Sequence, residues 1–215
     1  ALYLTRKNYA VAQPAMMAEF GWTTQDAGVV ITSYMATYAL GQFGNGLLAD
    51  RLGGRRLLAG GFALTVAMSA CLGLASGVAC AAALCGVNGL AQSTGWPSAA
   101  RILAQWFPVS VRGRIMGWWG TCYPLGDAAA TALAATVLGA WGWRTAMWLP
   151  ALLAAAVGVL VVSVLRDQPQ DAGLATVRPA SISVAGAPPT AQAAVDRSSG
   201  NPLRSRRVWT LATAY

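Results

Sequence analysis

The stretch GLLADRLGGRR at residues 46–56 separates two long apolar runs, 25–48 and 57–75. Each run has about the ~20 residues that a helix needs to cross the hydrocarbon core of a bilayer. The stretch between them holds three arginines, Arg51, Arg55 and Arg56. A short, basic gap between two spanning runs is typical of a loop on the cytoplasmic side of a membrane.

Four further apolar runs occupy residues 1–18, 79–104, 114–139 and 145–165. Arg112 and Arg114 follow the fourth run, and six arginines follow residue 165, whereas the gaps at 19–24, 76–78 and 140–144 contain only Arg144 as a basic residue. Arginines in every second gap predict an all-α, multi-pass protein of the plasma (inner) membrane.

Composition supports this prediction. Hydrophobic residues make up 56% of the chain and charged residues 10%, which leaves too little polar surface for a soluble fold. The net charge of +8 resembles that of a nucleic-acid-binding protein, but 11 of the 15 basic residues lie in or beside the predicted cytoplasmic gaps. We therefore expect the lipid bilayer, and no nucleic acid, as a partner.

The residues that enzymes and metal sites use are sparse. The chain has no histidine, and its four cysteines lie in apolar runs without the spacing of metal ligands. No nucleophile has an evident base beside it. We expect no enzymatic activity, no cofactor and no metal site.

The composition changes after Leu165. Residues 166–207 are rich in Pro, Ala, Ser and Gly without helical period and predict a cytoplasmic linker between domains. Residues 208–215 turn apolar again and predict the start of a truncated seventh helix. Residues 1–165 would then be a six-helix N-terminal half whose first helix is also truncated.

Two adjacent cations, Arg6 and Lys7, lie inside the first run. If that run ends outward near residue 18, Arg6 is ~18 Å from its end and close to the membrane midplane. Charges at that depth are costly unless they are paired or hydrated, which favours a site for an anion. The alternative is that both side chains reach back to the headgroups.

Two polar stripes follow helical spacing, one in the second run and one in the fifth. They face a central aqueous cavity, or they make hydrogen bonds between helices for packing only. The stripe residues are Tyr34, Tyr38, Gln42 and Asn45, and then Gly120, Tyr123, Asp127 and Thr131.

The 46–56 stretch resembles the signature loop of the major facilitator superfamily. The resemblance implies a six-helix N-terminal half made of two inverted three-helix repeats, with a missing C-terminal half as its partner. It also implies a cytoplasmic gating loop that holds the inward face shut, with Gly46 allowing close helix contact and Asp50 pairing with an arginine or a helix N-terminus. The loop residues are Gly46, Asp50, Arg51, Gly53, Arg55, Arg56 and, from the next basic gap, Arg112.

A narrower resemblance is to the organophosphate:phosphate antiporters, which include glycerol-phosphate and hexose-phosphate transporters. It is carried by Tyr3-Leu-Thr-Arg6-Lys7-Asn8-Tyr9-Ala10, by Gly95-Trp96-Pro97 with Trp106-Phe107, and by the stretch from Arg166 to Leu174.

This resemblance assigns roles to single residues. Arg6 takes the position that holds the substrate phosphoryl group, Lys7 is its neighbour, and Tyr3 and Tyr38 match pocket tyrosines. Guanidinium and phenol groups suit phosphate oxygens.

The sequence departs from the family pattern at four positions. Gln42 replaces a lysine, Tyr123 a histidine and Asp127 a glycine, and Val111 stands where an acidic residue often precedes Arg112. The pocket becomes less positive, so a carboxylate or a monoanion is as credible as a phosphate ester. Asp127 is expected to bind a proton or to pair with Arg6 or Lys7.

The resulting prediction is a secondary active transporter that moves a small organic anion by alternating access, with inorganic phosphate or a proton as coupling ion. The substrate-binding residues would be Arg6, Lys7, Tyr3, Tyr38, Gln42 and Tyr123. A membrane sensor with the same fold, which binds a phosphorylated metabolite without moving it, remains the alternative, and an inert half is a third possibility.

Overall fold

The computed structural model describes residues 2–175, and the side chains of residues 4–175. These residues contain seven α-helices, two short 3-10 turns and no β-strand. The helices are α1 Asn8–Phe20, α2 Thr24–Leu52, α3 Gly54–Leu72, α4 Val78–Gln92, α5 Gly95–Trp106, α6 Val109–Gly120 and α7 Cys122–Val164, and the turns are Leu2–Thr5 and Pro169–Ala172. The prediction of an all-α chain holds for this part, while residues 176–215, which include most of the predicted linker and the seventh helix, lie outside it.

The first predicted run is not one continuous helix. The chain makes a 3-10 turn at Leu2–Thr5, and α1 begins only at Asn8. Arg6 and Lys7 therefore lie in the short break between the two elements. The sequence did not predict this break, because no glycine or proline marks it. The Arg6 side chain contacts α2 and α7, and the Lys7 side chain contacts α7, as described below.

Prolines explain two further interruptions. Pro97 has no amide proton to donate to the carbonyl of Ser93, and the fourth run divides there into α4 and α5. The fourth apolar run is therefore two helices rather than one. Pro124 likewise leaves the carbonyl of Gly120 without its helical partner, and α6 ends at that residue. The fifth predicted run thus starts earlier than expected and is interrupted between α6 and α7.

A glycine explains the remaining break. Gly142 lies inside α7 with φ 81° and ψ 173°, a non-helical conformation that glycine adopts readily. Residues 122–141 and 143–164 are therefore separate helical segments. They correspond to the fifth and sixth apolar runs.

The closest helix pair in the bundle is α2 and α4, which approach through small residues. A β-carbon at Gly89 would overlap the hydroxyl of Thr37 and the carbonyl of Tyr34. The same hydroxyl donates to the carbonyl of Gly86 at 2.7 Å, and Ser33 Oγ donates to the carbonyl of Ala82 at 2.8 Å. Close backbone approach with hydroxyl donors is typical of helices that pack in lipid.

The end of α1 and the second segment of α7 are joined by a charged contact. Glu19 accepts two hydrogen bonds from the guanidinium of Arg144, at 2.7 and 3.1 Å, and one from the indole of Trp143 at 2.6 Å. Both partners belong to gaps that the charge pattern assigns to the outward side. The contact fixes this end of α1 against α7.

Large apolar side chains cover much of the outer surface. Phe43, Trp118 and Val159 are each more than 70% exposed. By length and hydropathy, two stretches among the described residues are able to cross a membrane, Gly54–Leu72 and Val109–Val164. Apolar surface on this scale requires contact with lipid or with another protein surface.

Candidate functional site

Arg6 lies between two tyrosine rings. The central guanidinium carbon is 4.7 Å from the ring centre of Tyr38 in α2 and 5.6 Å from that of Tyr123 in α7. Both distances are within the ~6 Å over which a cation is attracted to the face of an aromatic ring. The side chain is half-buried. The break before α1 thus directs this cation toward α2 and α7.

Lys7 pairs with the acid of α7. Its Nζ atom lies 3.3 Å from Oδ2 of Asp127, and the side chains are 41% and 27% exposed. The pairing expected for Asp127 is therefore present with Lys7, while Arg6 contacts the aromatic rings instead. The Lys7–Asp127 pair thus lies next to Arg6 in the chain, and the three residues form one charged group.

A cavity of about 250 Å³ lies beside Arg6. We call it the Arg6 cavity. Among the described lining residues Arg6 is the charged one, and most others are apolar or aromatic. Its lining consists of Arg6, Tyr38, Leu58, Phe62, Gln92, Gly95, Trp96, Ala99, Trp119, Cys122, Gly126 and Val161. A single cation in an apolar, aromatic cavity suits the recognition of a small anion.

The other predicted pocket residues divide into three groups. Tyr38 lines the Arg6 cavity, and Tyr123 contacts Arg6 from the other side. Gln42, one helical turn after Tyr38, is half-buried but is not among the described lining residues. Tyr3 belongs to the 3-10 turn before Arg6, and its side chain lies outside the described part of the structure.

The polar stripe of α2 fits both interpretations: part of it faces a cavity, and part of it makes hydrogen bonds between helices. Tyr38 faces the cavity, but Tyr34 donates a hydrogen bond to Gln92 at 3.1 Å, and Asn45 donates to Ser93 Oγ at 2.6 Å. Gln92 is the last residue of α4, and Ser93 directly follows it. In the second stripe, Thr131 donates to the backbone carbonyl of Asp127 at 2.8 Å within its own helix. Half of the α2 stripe therefore packs helices together.

Two features of the cavity were missed at the sequence level. Gln92 is almost fully buried and lines the cavity, and the indoles of Trp96 and Trp119 lie with ring centres 4.4 Å apart in its wall. A signal for Gln92 was available, because this amide lies one helical turn before Trp96 within the fourth apolar run. The pairing of the two indoles depends on tertiary structure.

The cluster around the 46–56 stretch, which the charge pattern assigns to the cytoplasmic side, contains an ion pair. Oδ1 of Asp50 lies 2.7 Å from Nη1 of Arg101 in α5, although the Asp50 side chain is 74% exposed. The expected pairing of Asp50 with an arginine is present. Its partner was missed, because Arg101 falls inside an apolar run rather than in one of the basic gaps.

Asp167 caps the start of α3. Its Oδ1 accepts a hydrogen bond from the backbone N–H of Arg55 at 2.7 Å, while Nε of Arg55 donates to the carbonyl of Val162 at 3.0 Å. Gly53, with φ 87°, gives the carboxylate access, because a β-carbon at this position would lie 2.9 Å from Asp167 Oδ2. The segment after α7 is thus joined to the loop between α2 and α3.

The remaining loop residues make fewer contacts. Arg112 donates to the carbonyls of Ala104 at 2.8 Å and Phe107 at 3.1 Å. These two hydrogen bonds cap the end of α5. Arg51 and Arg56 are exposed. No close helix contact forms at Gly46 within the described residues, because nothing lies within 4 Å of the position of a β-carbon there.

Comparison with known proteins agrees with this architecture. The family model of the Major Facilitator Superfamily matches residues 1–215. The chain belongs to the Major Facilitator Superfamily.

Several members of this superfamily are similar to the chain. A probable hexose phosphate transport protein of Chlamydia muridarum is 31% identical over 175 residues, which cover 81% of this chain and 38% of the relative. The glycerol-3-phosphate transporter of Bacillus subtilis is 30% identical over 177 residues, 80% of this chain and 40% of the relative. The membrane sensor protein UhpC of Escherichia coli is 30% identical over 175 residues, 81% of this chain and 40% of the relative.

These relatives confirm the resemblance to the N-terminal half of the organophosphate:phosphate antiporters. The chain spans about two fifths of the length of the curated relatives that it matches. Two of the three are transport proteins, one is a sensor, and these names indicate no enzymatic activity. The superfamily is one of membrane transport proteins, in agreement with the apolar outer surface.

Proposed function

We propose that this chain is the N-terminal half of a secondary active transporter that moves a small organic anion, an organophosphate or a related carboxylate or phosphate, by alternating access. Residues 1–165 would form two inverted three-helix repeats in the plasma (inner) membrane. Residues 166–207 would be a cytoplasmic linker, and residues 208–215 would begin the seventh helix. The site would be completed by a C-terminal half.

The observation that carries this proposal is the position of Arg6 in the wall of an apolar, aromatic cavity. A guanidinium offers a planar fork of donors that fits two oxygens of a phosphate or carboxylate. The rings of Tyr38 and Tyr123 hold the cation without neutralising it. A guanidinium held against two aromatic rings in the wall of a cavity is positioned to bind an anion there, as a substrate ligand requires.

The Lys7–Asp127 pair makes the charge of this site adjustable. One guanidinium, one ammonium and one carboxylate give a net charge of +1, which balances a monoanion. A dianionic phosphate ester would be balanced if the carboxylate of Asp127 were protonated or withdrew from Lys7. This supports a proton or inorganic phosphate as the coupling ion, with Asp127 as the group that responds.

The cytoplasmic cluster supports a gating role for the 46–56 stretch. The Asp50–Arg101 pair and the Asp167 cap join the ends of α2, α3 and α5 to the segment after α7. Such contacts would stabilise the inward side when it is closed. Their partial exposure suits a contact that must break in each transport cycle, since exposed ion pairs are weak.

Transport is tested with the full-length protein in proteoliposomes loaded with inorganic phosphate. We expect rapid exchange of external radiolabelled phosphate and competition by sugar phosphates. Empty liposomes give the background. Binding of phosphate without exchange would contradict the transporter and leave an anion-binding membrane protein.

The second candidate is a membrane sensor that binds the anion without moving it. The similarity to UhpC, a membrane sensor protein, at 30% identity over 81% of this chain favours it specifically. A sensor and a transporter would share the Arg6 cavity and differ in flux. The same proteoliposomes separate them, because a sensor gives saturable binding and no accumulation.

A further inference from the structure

We propose that Gln92 is a positioning residue that holds Arg6 in the orientation required to bind an anion. This inference rests on the proposed function of Arg6 as a ligand. Gln92 is the last residue of α4, and its side chain lines the Arg6 cavity.

Both ends of the Gln92 amide are engaged. Its Oε1 accepts a hydrogen bond from the hydroxyl of Tyr34 at 3.1 Å, and its Nε2 donates to Oγ1 of Thr5 at 3.3 Å. The three residues are 4–6% exposed. Buried hydrogen bonds of this kind restrict their members strongly, because a partner that swings away leaves an unsatisfied group.

Two routes lead from this amide to Arg6. Thr5 directly precedes Arg6 in the break before α1, where the backbone lacks a regular helical ladder. Along the second route, the ring of Tyr34 stacks on that of Tyr38 with centres 5.9 Å apart, and the Arg6 guanidinium lies over Tyr38. Gln92 thus restrains the backbone beside Arg6 through Thr5. Through Tyr34 it also restrains the Tyr38 ring that lies under the guanidinium.

The amide group suits this task better than its charged counterpart. It accepts from a phenol and donates to a hydroxyl at the same time, whereas a carboxylate only accepts. A carboxylate here would also attract the guanidinium away from an anion. The position therefore calls for a neutral group with both a donor and an acceptor.

The test measures binding of inorganic phosphate to the full-length protein by isothermal titration calorimetry. Thr5→Val, which loses one hydrogen bond of the network, should raise the Kd by about 5-fold, and Gln92→Met, of similar shape but without either hydrogen bond, should raise it by at least as much. Thr5→Ser, which keeps the hydroxyl, should restore binding. Thr65→Val is the matched control, because Thr65 is a buried threonine of α3 that does not line the Arg6 cavity.

An Arg6→Lys background decides whether Gln92 acts through Arg6. We expect Gln92→Met to cause no further loss there. If Gln92→Met raised the Kd in the Arg6→Lys background by the same factor as in the wild type, the inference would be overturned. Equal binding by Thr5→Ser and Thr5→Val would overturn it as well. Wild-type affinity in Arg6→Lys alone would instead reject the proposed function. If Gln92→Met fails to fold, the two Thr5 variants and the control carry the test.

Discussion

Nζ of Lys7 lies 3.3 Å from Oδ2 of Asp127, although the two residues are 120 positions apart in the chain. The contact joins the break before α1 to the first segment of α7. Both side chains remain partly exposed, so the pair is accessible to ions and to water. Separating Lys7 from Asp127 would change the charge of the site without unfolding any helix.

Asp127→Asn should release Lys7 and increase the affinity for anions. Because exposed ion pairs contribute about 0.2–1 kcal/mol, the expected gain is about 1.5- to 5-fold in Kd for phosphate. If Asp127 is the proton-responsive group, the pH dependence of exchange in proteoliposomes should also become flatter. The matched control is Asp171→Asn, a carboxylate in the segment after α7. Unchanged exchange and an unchanged pH profile in Asp127→Asn would exclude this residue from coupling.

Asp167→Ala should destabilise the protein through the start of α3. The Asp167 carboxylate accepts the backbone N–H of Arg55 at 2.7 Å, and loss of such a cap costs about 0.5–2 kcal/mol. Thermal unfolding of the purified protein in detergent measures the effect. Asp167→Asn keeps an acceptor oxygen and should retain most of the stability. Equal melting temperatures for the alanine variant and the wild type would show that the cap contributes nothing.

Glu19 should make stability depend on acidic pH. Hydrogen bonds from Arg144, and then from Trp143, lower the pKa of Glu19 below its usual range. A carboxylate with a lowered pKa stabilises the folded state above its ordinary pKa, and this contribution is lost as the pH falls through the lowered value. Thermal unfolding in detergent across the acidic range should therefore show a decline that Glu19→Gln lacks. A decline of the same size in Glu19→Gln would assign it to other groups.

The fold was predictable from the sequence where hydrophobicity decides the structure. The long apolar runs, the break at Pro97 and the loop between α2 and α3 follow from residue type and spacing alone. The break at Arg6 was not predictable, because no glycine or proline marks it and the stabilising contacts come from α2 and α7. Local propensity does not contain such tertiary contacts.

The site was predictable where a charged residue interrupts an apolar run. Arg6, Lys7 and Asp127 stand out for that reason, and the Lys7–Asp127 pairing was one of the expected alternatives. The partners of Asp50 and of the α3 N-terminus were missed. Arg101 lies inside an apolar run, and Asp167 is more than 100 positions from Arg55. Both contacts require knowledge of which helix ends meet.

The most direct test of the account is the affinity of the full-length protein for inorganic phosphate when Arg6 is replaced by lysine. Arg6→Lys keeps the positive charge but loses the planar fork of donors, so we expect a loss of about 1.5–3 kcal/mol, or roughly 10- to 150-fold in Kd. Arg114→Lys, at an exposed arginine of α6, is the control and should bind as the wild type does. Isothermal titration calorimetry at fixed pH and salt measures both. An unchanged Kd in Arg6→Lys would contradict the proposal that this guanidinium binds the anion.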